Sequence, residues 1–316
     1  MKLFSENLGL AKTDEELASL QSQFPDYDPG YICQSAGLPR RKVKEWLEKL
    51  WEQYEPYADS HFLEAFKYKF GQRSWELYLG VTLLNRGFNL GQHTNIGPDF
   101  DIRDKKGNRL GWIEAVTTEK GSGADKVPNI IYGTVIDLPE KEMMFRIANA
   151  LDRKFKQYCT ELADGTIKDD EPYIIAINRS SLDHIDPGLP LILKVLFGIG
   201  HLTLRIISKG ERQKNPESFW SGRPKISKIS GRDVSMLFFE DIKYAGISAV
   251  IYCVDSILNS PRLSQDMGEN FTIVHNPLAK NPLPDGFFPF GDEYKVEDEY
   301  IKKIRERKKW NKSDSF

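Results

Sequence analysis

Gly97-Pro98-Asp99-Phe100-Asp101-Ile102, followed after Asp104-Lys105-Lys106-Gly107-Asn108 by Trp112-Ile113-Glu114-Ala115-Val116, sets acidic residues on two adjoining segments. A polar turn containing Asp, Gly and Asn between two apolar-rich runs predicts a β-hairpin. Side chains alternate along a strand, so Asp99, Asp101 and Glu114 fall on faces that can converge. Phe100, Ile102, Trp112 and Ile113 surround these acids, and a carboxylate in apolar surroundings is costly unless it is paired or holds a cation. Converging carboxylates suit a hard divalent cation such as magnesium. Solvated or paired surface acids beside a turn are the competing reading.

Working outward, the pattern at 74–85 predicts a helix, and Gly87 supplies its C-terminal stop. Strands are expected at 92–95, 99–103 and 110–118, then a glycine-bearing loop at 119–124 and a long helix at 140–162. The run Pro172-Tyr173-Ile174-Ile175-Ala176-Ile177-Asn178 is short, apolar and bounded by turn formers, as a buried strand should be. Beyond it come a helix at 189–197 and strands at 201–207, 235–239 and 247–254, with 209–228 an exposed excursion. Helices alternating with strands predict an α/β fold, a mixed central sheet flanked by helices.

Residues 10–70 read as helical, with a cap and first turn at Thr13-Asp14-Glu15-Glu16. Pro39-Arg40-Arg41-Lys42 opens an amphipathic helix that sets Val43, Trp46, Leu47, Leu50 and Trp51 on one side. The expected organisation is a helical region over 1–70, an α/β domain with a C-terminal extension over 71–300, and a basic tail over 301–316 that frays.

The chain has 316 residues, of which 40% are hydrophobic, enough for a substantial core. Lys and Arg number 44 against 46 Asp and Glu. A net charge of -2 excludes a strong global pull toward nucleic acid or anionic membrane, so any polyanion must be held by a local basic surface. No run approaches the roughly 18 apolar residues of a membrane helix, and the N-terminus lacks a secretory core, so a cytoplasmic protein with no membrane partner is expected. Cys33, Cys159 and Cys253 lack zinc-site spacing, and the five histidines are scattered. Phe219 and Trp220 beside Arg212, Lys214 and Arg223 could stack bases or simply pack a core.

Glu76, in Ser74-Trp75-Glu76-Leu77-Tyr78, lies on the helix that feeds the acidic hairpin; an exposed helix glutamate is the alternative. A helix with Glu, then Pro-Asp on a strand, a hairpin to a second strand with Glu, then another helix resembles the PD-(D/E)XK nuclease superfamily over 75–178. The resemblance implies a restriction-endonuclease-like core and a metal-dependent nuclease acting on nucleic acid, DNA ahead of RNA. It implies that Asp99 and Glu114 hold Mg2+ or Mn2+, with Glu76 assisting directly or through water. The family usually places lysine two residues after the second acid, where this chain has Val116.

Lys154 is the expected replacement, because helical spacing puts it on the stripe of Met144, Ile147, Leu151, Tyr158 and Leu162, with Gln157 one turn later. Some members of the superfamily carry lysine or glutamine there, so Lys154 and Gln157 join the catalytic set. A lysine whose stem merely rests on the core remains open, as does Lys120 in the glycine-bearing loop. Lys156 faces the opposite side. Val116 also keeps open a nuclease-like fold without turnover that binds nucleic acid or protein.

Overall fold

The turn closes as its residues dictate. Asp104 Oδ1 accepts the N–H groups of Lys106 and Asn108 at 2.8 and 2.9 Å, and Gly107 adopts φ +85°, open to glycine at little cost. The computed structural model describes residues 1–37, 41–92, 96–186, 188–205 and 217–310. Residues 93–95 of an expected strand, His93, Pro39, Arg40, Arg212, Lys214 and 311–316 lie outside them.

Helices α1 (Asp14–Gln23), α2 (Pro29–Ala36), α3 (Arg41–Tyr54) and α4 (Phe62–Tyr68) lead into α5 (Phe70–Asn85). Thr13 caps α1 by accepting the Glu16 N–H. α3 buries Val43, Leu47, Leu50, Trp51 and Tyr54. α5 is buried from Ser74 through Leu83 because its flanks are covered by α3 and α4 on one side and the sheet on the other. Each large apolar side chain buried there contributes about 1.5–3 kcal/mol. The helix ends at Asn85, and Gly87 takes φ +89°.

Next come β1 (Asn89–Leu90), β2 (Phe100–Arg103), β3 (Arg109–Thr117), α6 (Glu140–Ala163), β4 (Tyr173–Asn178) and α7 (Leu191–Phe197). The short strands β5 (Ile199–Arg205) and β6 (Glu217–Gly222) form one ribbon, and β7 (Lys225–Ser227) and β8 (Asp233–Ser235) form another. β9 (Ala249–Cys253), β10 (Phe271–His275), β11 (Asp292–Glu297) and β12 (Tyr300–Arg305) complete the chain.

The large mixed sheet has eight strands in the order β1-β2-β3-β4-β9-β10-β11-β12, with β3, β4 and β9 mutually parallel. β4 is buried at all six positions, as expected of a central strand covered on both faces. On one face Phe100, Ile102, Ile113, Ala115, Ile174 and Ala176 pack in the same cluster as α5 and the N-terminal helices. On the other, Trp112, Val116, Tyr173, Ile175 and Ile177 pack against α6 and α7. Trp75 Nε1 donates to the Ala176 carbonyl at 3.1 Å and pins α5 to the sheet.

Three expectations need correction. Of the expected strand at 201–207, residues 201–205 belong to β5, which among the described residues pairs with β6 in a separate two-stranded sheet and exposes Leu202 and Leu204, while 206–207 lie outside the described residues. Of 235–239, only Ser235 is in a strand; Phe238 and Phe239 form a turn that buries both rings. The fraying assigned to the basic tail fails over 301–305, which belong to β12. There Lys303 pairs with Asp292 and Arg305 with Glu293, so the basic residues are neutralised across the strand pair.

Candidate functional site

Pairing between β2 and β3 stops at Phe100 opposite Ile113, so beyond that point side chains complete the edge of β3. Asp99 Oδ2 accepts the Ala115 N–H at 2.7 Å. Gln72, in the first turn of α5, accepts the Thr117 N–H at 2.8 Å and donates to the Ala115 carbonyl at 3.2 Å. The Asp99 N–H donates to Glu114 Oε2 at 3.2 Å. Asp99 and Glu114 therefore adjoin, as the hairpin reading requires.

α6 crosses this face and delivers Lys154. Its ammonium ion-pairs with Glu114 Oε1 and donates to Gln157 Oε1 at 3.0 Å. Val116 packs in the core against α6, so the position two residues after Glu114 is apolar and the helix supplies the cation. Lys120 is engaged by Asp183 at 2.5 Å and by Asn129 at 2.8 Å. Lys156 is exposed and paired with Asp152, on the far side of the helix as expected.

Glu76 is 1% exposed, which excludes the exposed-glutamate alternative. Tyr54 donates to its Oε1 at 3.0 Å, and Arg73 pairs with its Oε2 at 2.6 Å while also holding Asp59 at 2.7 Å. Glu76, Asp99 and Lys154 line one cleft of about 610 Å³, together with Gln72, Arg73 and Thr117. Lys69 and Arg153, both exposed, stand at the same cleft. Burial first and the Asp99 charge second push the Glu76 and Glu114 carboxyls up to about 8, against the lowering pull of Arg73 and Lys154 respectively. Carboxyls so placed favour a proton or a neighbouring cation over an unpaired buried charge.

Asp101 does not join them. It accepts from Arg109 at 2.8 and 3.0 Å and from Arg103 at 3.0 Å. Arg109 also lies over the Trp112 ring at 4.0 Å. Phe219 and Trp220 are 48% and 42% exposed on β6, Lys194 lies over the Trp220 ring, and Arg223 approaches Glu140 at 3.5 Å. His275 is buried against Glu293 at 2.7 Å and His184 against the Pro128 carbonyl, while His61 and His201 are exposed. The three cysteines are free. No described helix is long and apolar enough to cross a membrane.

Among the described residues, no group of three or more His, Cys, Asp and Glu side chains has metal-holding geometry, so Glu76 is not gathered with Asp99 and Glu114 into a three-carboxylate centre. The adjoining pair still suits magnesium, which binds through one or two carboxylates and keeps several waters. Sequence reasoning missed Gln72, Arg73 and Glu161. Gln72 and Arg73 immediately precede the Ser74-Trp75-Glu76 run, and Glu161 is an acid inside the apolar stripe of α6. No protein-family model, curated protein or solved structure matches the chain.

Proposed function

We infer that the chain is a cytoplasmic, divalent-metal-dependent nuclease that hydrolyses phosphodiester bonds of nucleic acid, DNA ahead of RNA. The observation that carries this reading is that Glu114 on β3 contacts both Asp99, just before β2, and Lys154 on α6, the last two lining one cleft. Asp99 and Glu114 hold the Mg2+ or Mn2+, which when bound polarises the phosphate and acidifies an attacking water. Lys154 supplies the fixed positive charge that Val116 lacks, placed to offset charge developing on the phosphorus oxygens. Glu76, held by Arg73 and Tyr54, lines the same cleft as Asp99 and assists the cation directly or through water. Lys69 and Arg153 offer charge to the sugar–phosphate backbone, which positions a substrate without reading its sequence.

The second reading is a nuclease-like binding module without turnover, favoured by the neutralisation of Glu114 by Lys154 and of Glu76 by Arg73. Incubating the purified chain with linear, circular and single-stranded DNA and with RNA, in magnesium or manganese, separates the two. A product that vanishes with chelator and with Asp99→Ala supports the nuclease. Binding with no cleavage of any substrate in either cation establishes the module instead.

A further inference from the structure

Glu161 follows Lys154 by seven residues and Gln157 by four on α6, so the three side chains run along one helix face. Glu161 is 8% exposed. Its Oε1 accepts from Gln157 Nε2 at 2.8 Å, and its Oε2 accepts from the Tyr173 hydroxyl at 3.2 Å. Oε1 accepts because the Gln157 nitrogen facing it can only donate, whereas burial raises the carboxyl above its usual range. Gln157 then turns its own Oε1 to Lys154 Nζ at 3.0 Å. The chain of contacts runs from Tyr173 on β4 through Glu161, Gln157 and Lys154 to Glu114 on β3.

An ammonium can only donate, and the Glu161 oxygen beside Gln157 accepts. A carboxamide between them satisfies both in a single orientation, with nitrogen toward Glu161 and oxygen toward Lys154. Turned over, it would set its NH2 against the ammonium and its carbonyl against that accepting oxygen, losing both hydrogen bonds. Tyr173 anchors the far end, since β4 runs beside β3 with Tyr173 opposite Trp112.

We propose that Glu161 is a positioning residue of the site: by fixing the carboxamide of Gln157, it holds the Lys154 ammonium at Glu114. Glu161 touches neither the substrate nor the cation, and Gln157, assigned from sequence to the catalytic set, acts in the same indirect way. The effect on turnover rests on the nuclease reading, whereas the hydrogen-bond chain does not.

Glu161→Leu keeps the bulk and removes both acceptors, while Glu161→Gln keeps an oxygen for Gln157 and leaves Tyr173 free to turn its hydroxyl. The test combines two measurements on the full chain. One is 15N NMR of the Gln157 side-chain amide and the Lys154 ammonium, whose protons exchange slowly only when held. The other is kcat and KM for nucleic-acid cleavage with magnesium. Wild type and Glu161→Gln are expected to show both signals, and Glu161→Leu to lose them. Glu161→Leu should lower kcat by about tenfold to a hundredfold with KM nearly unchanged, and Glu161→Gln should restore it. Retention of both signals in Glu161→Leu, or wild-type kcat in that variant, overturns the proposal. Signals that respond as expected in a wild-type chain that cuts nothing support the positioning role and sink the nuclease reading.

Discussion

Asp99 and Asp101 stand two residues apart on one hairpin, yet their surroundings assign them opposite work. Asp101 is clasped by the guanidinium groups of Arg109 and Arg103. Burial alone would raise its pKa, but hydrogen bonds from Arg109 and then Arg103 hold the carboxyl below its usual range. Asp99 instead caps the free edge of β3 and adjoins Glu114, a carboxyl that burial and the Asp99 charge raise to about 8. An acid neutralised by its own fold stabilises that fold. Acids set side by side in a buried place cost stability, a cost that Lys154 offsets in part and that, on the proposed reading, a bound cation would offset further.

Breaking the Asp99 side of this contrast has the largest expected effect: Asp99→Ala and Glu114→Gln each abolish metal-dependent cleavage in a gel assay, whereas Asp101→Asn cuts at close to the wild-type rate. The next effect falls on the cation. Lys154→Met lowers kcat by about a hundredfold or more with substrate binding nearly intact, and Lys156→Met stays near wild type, as steady-state kinetics would read.

Stability sharpens the comparison through opposite dependences on pH. The raised Glu114 carboxyl contributes stability that is complete below its unfolded value of 4.5 and is lost as pH rises toward about 8. Glu114→Gln, which does not titrate, therefore gains on wild type across that window, by about 1–3 kcal/mol in denaturant melts without added metal. The lowered Asp101 carboxyl acts the other way: its contribution is full above 3.8 and is lost as pH falls through the lower folded value. Asp101→Asn should cost about 1–2 kcal/mol at neutral pH, because both arginines are partly exposed, and that deficit should shrink in acid.

The hairpin, the juxtaposition of Asp99 with Glu114 and the inward turn of Lys154 were legible because each follows from a local rule. Turn chemistry fixes the hairpin, strand alternation orients the acids, and helical spacing aims the lysine. Alternation alone left open whether Asp101 converges with Glu114 or is a paired acid, because it gives a side chain its face and says nothing of which partner it meets there; Arg103 and Arg109 decide that. β11 and β12 were unreadable as strands since Asp-Glu-Tyr-Lys-Val-Glu and Tyr-Ile-Lys-Lys-Ile-Arg look like solvated charge until they are paired. The alternation at 201–207 does indicate a strand but cannot say which sheet it joins. Glu161 had a signal, an acid among Tyr158 and Leu162 on the buried stripe, whose meaning needed Tyr173 and Gln157 beside it.

Calorimetric titration of Mn2+ or Mg2+ into the wild-type chain and its Asp99→Ala, Glu114→Gln and Asp101→Asn variants tests the central claim most directly. Binding by wild type and Asp101→Asn, lost or strongly weakened in the other two, is the predicted result. Equal binding by all four chains, or none by any, would contradict the assignment of Asp99 and Glu114 as the metal-holding pair.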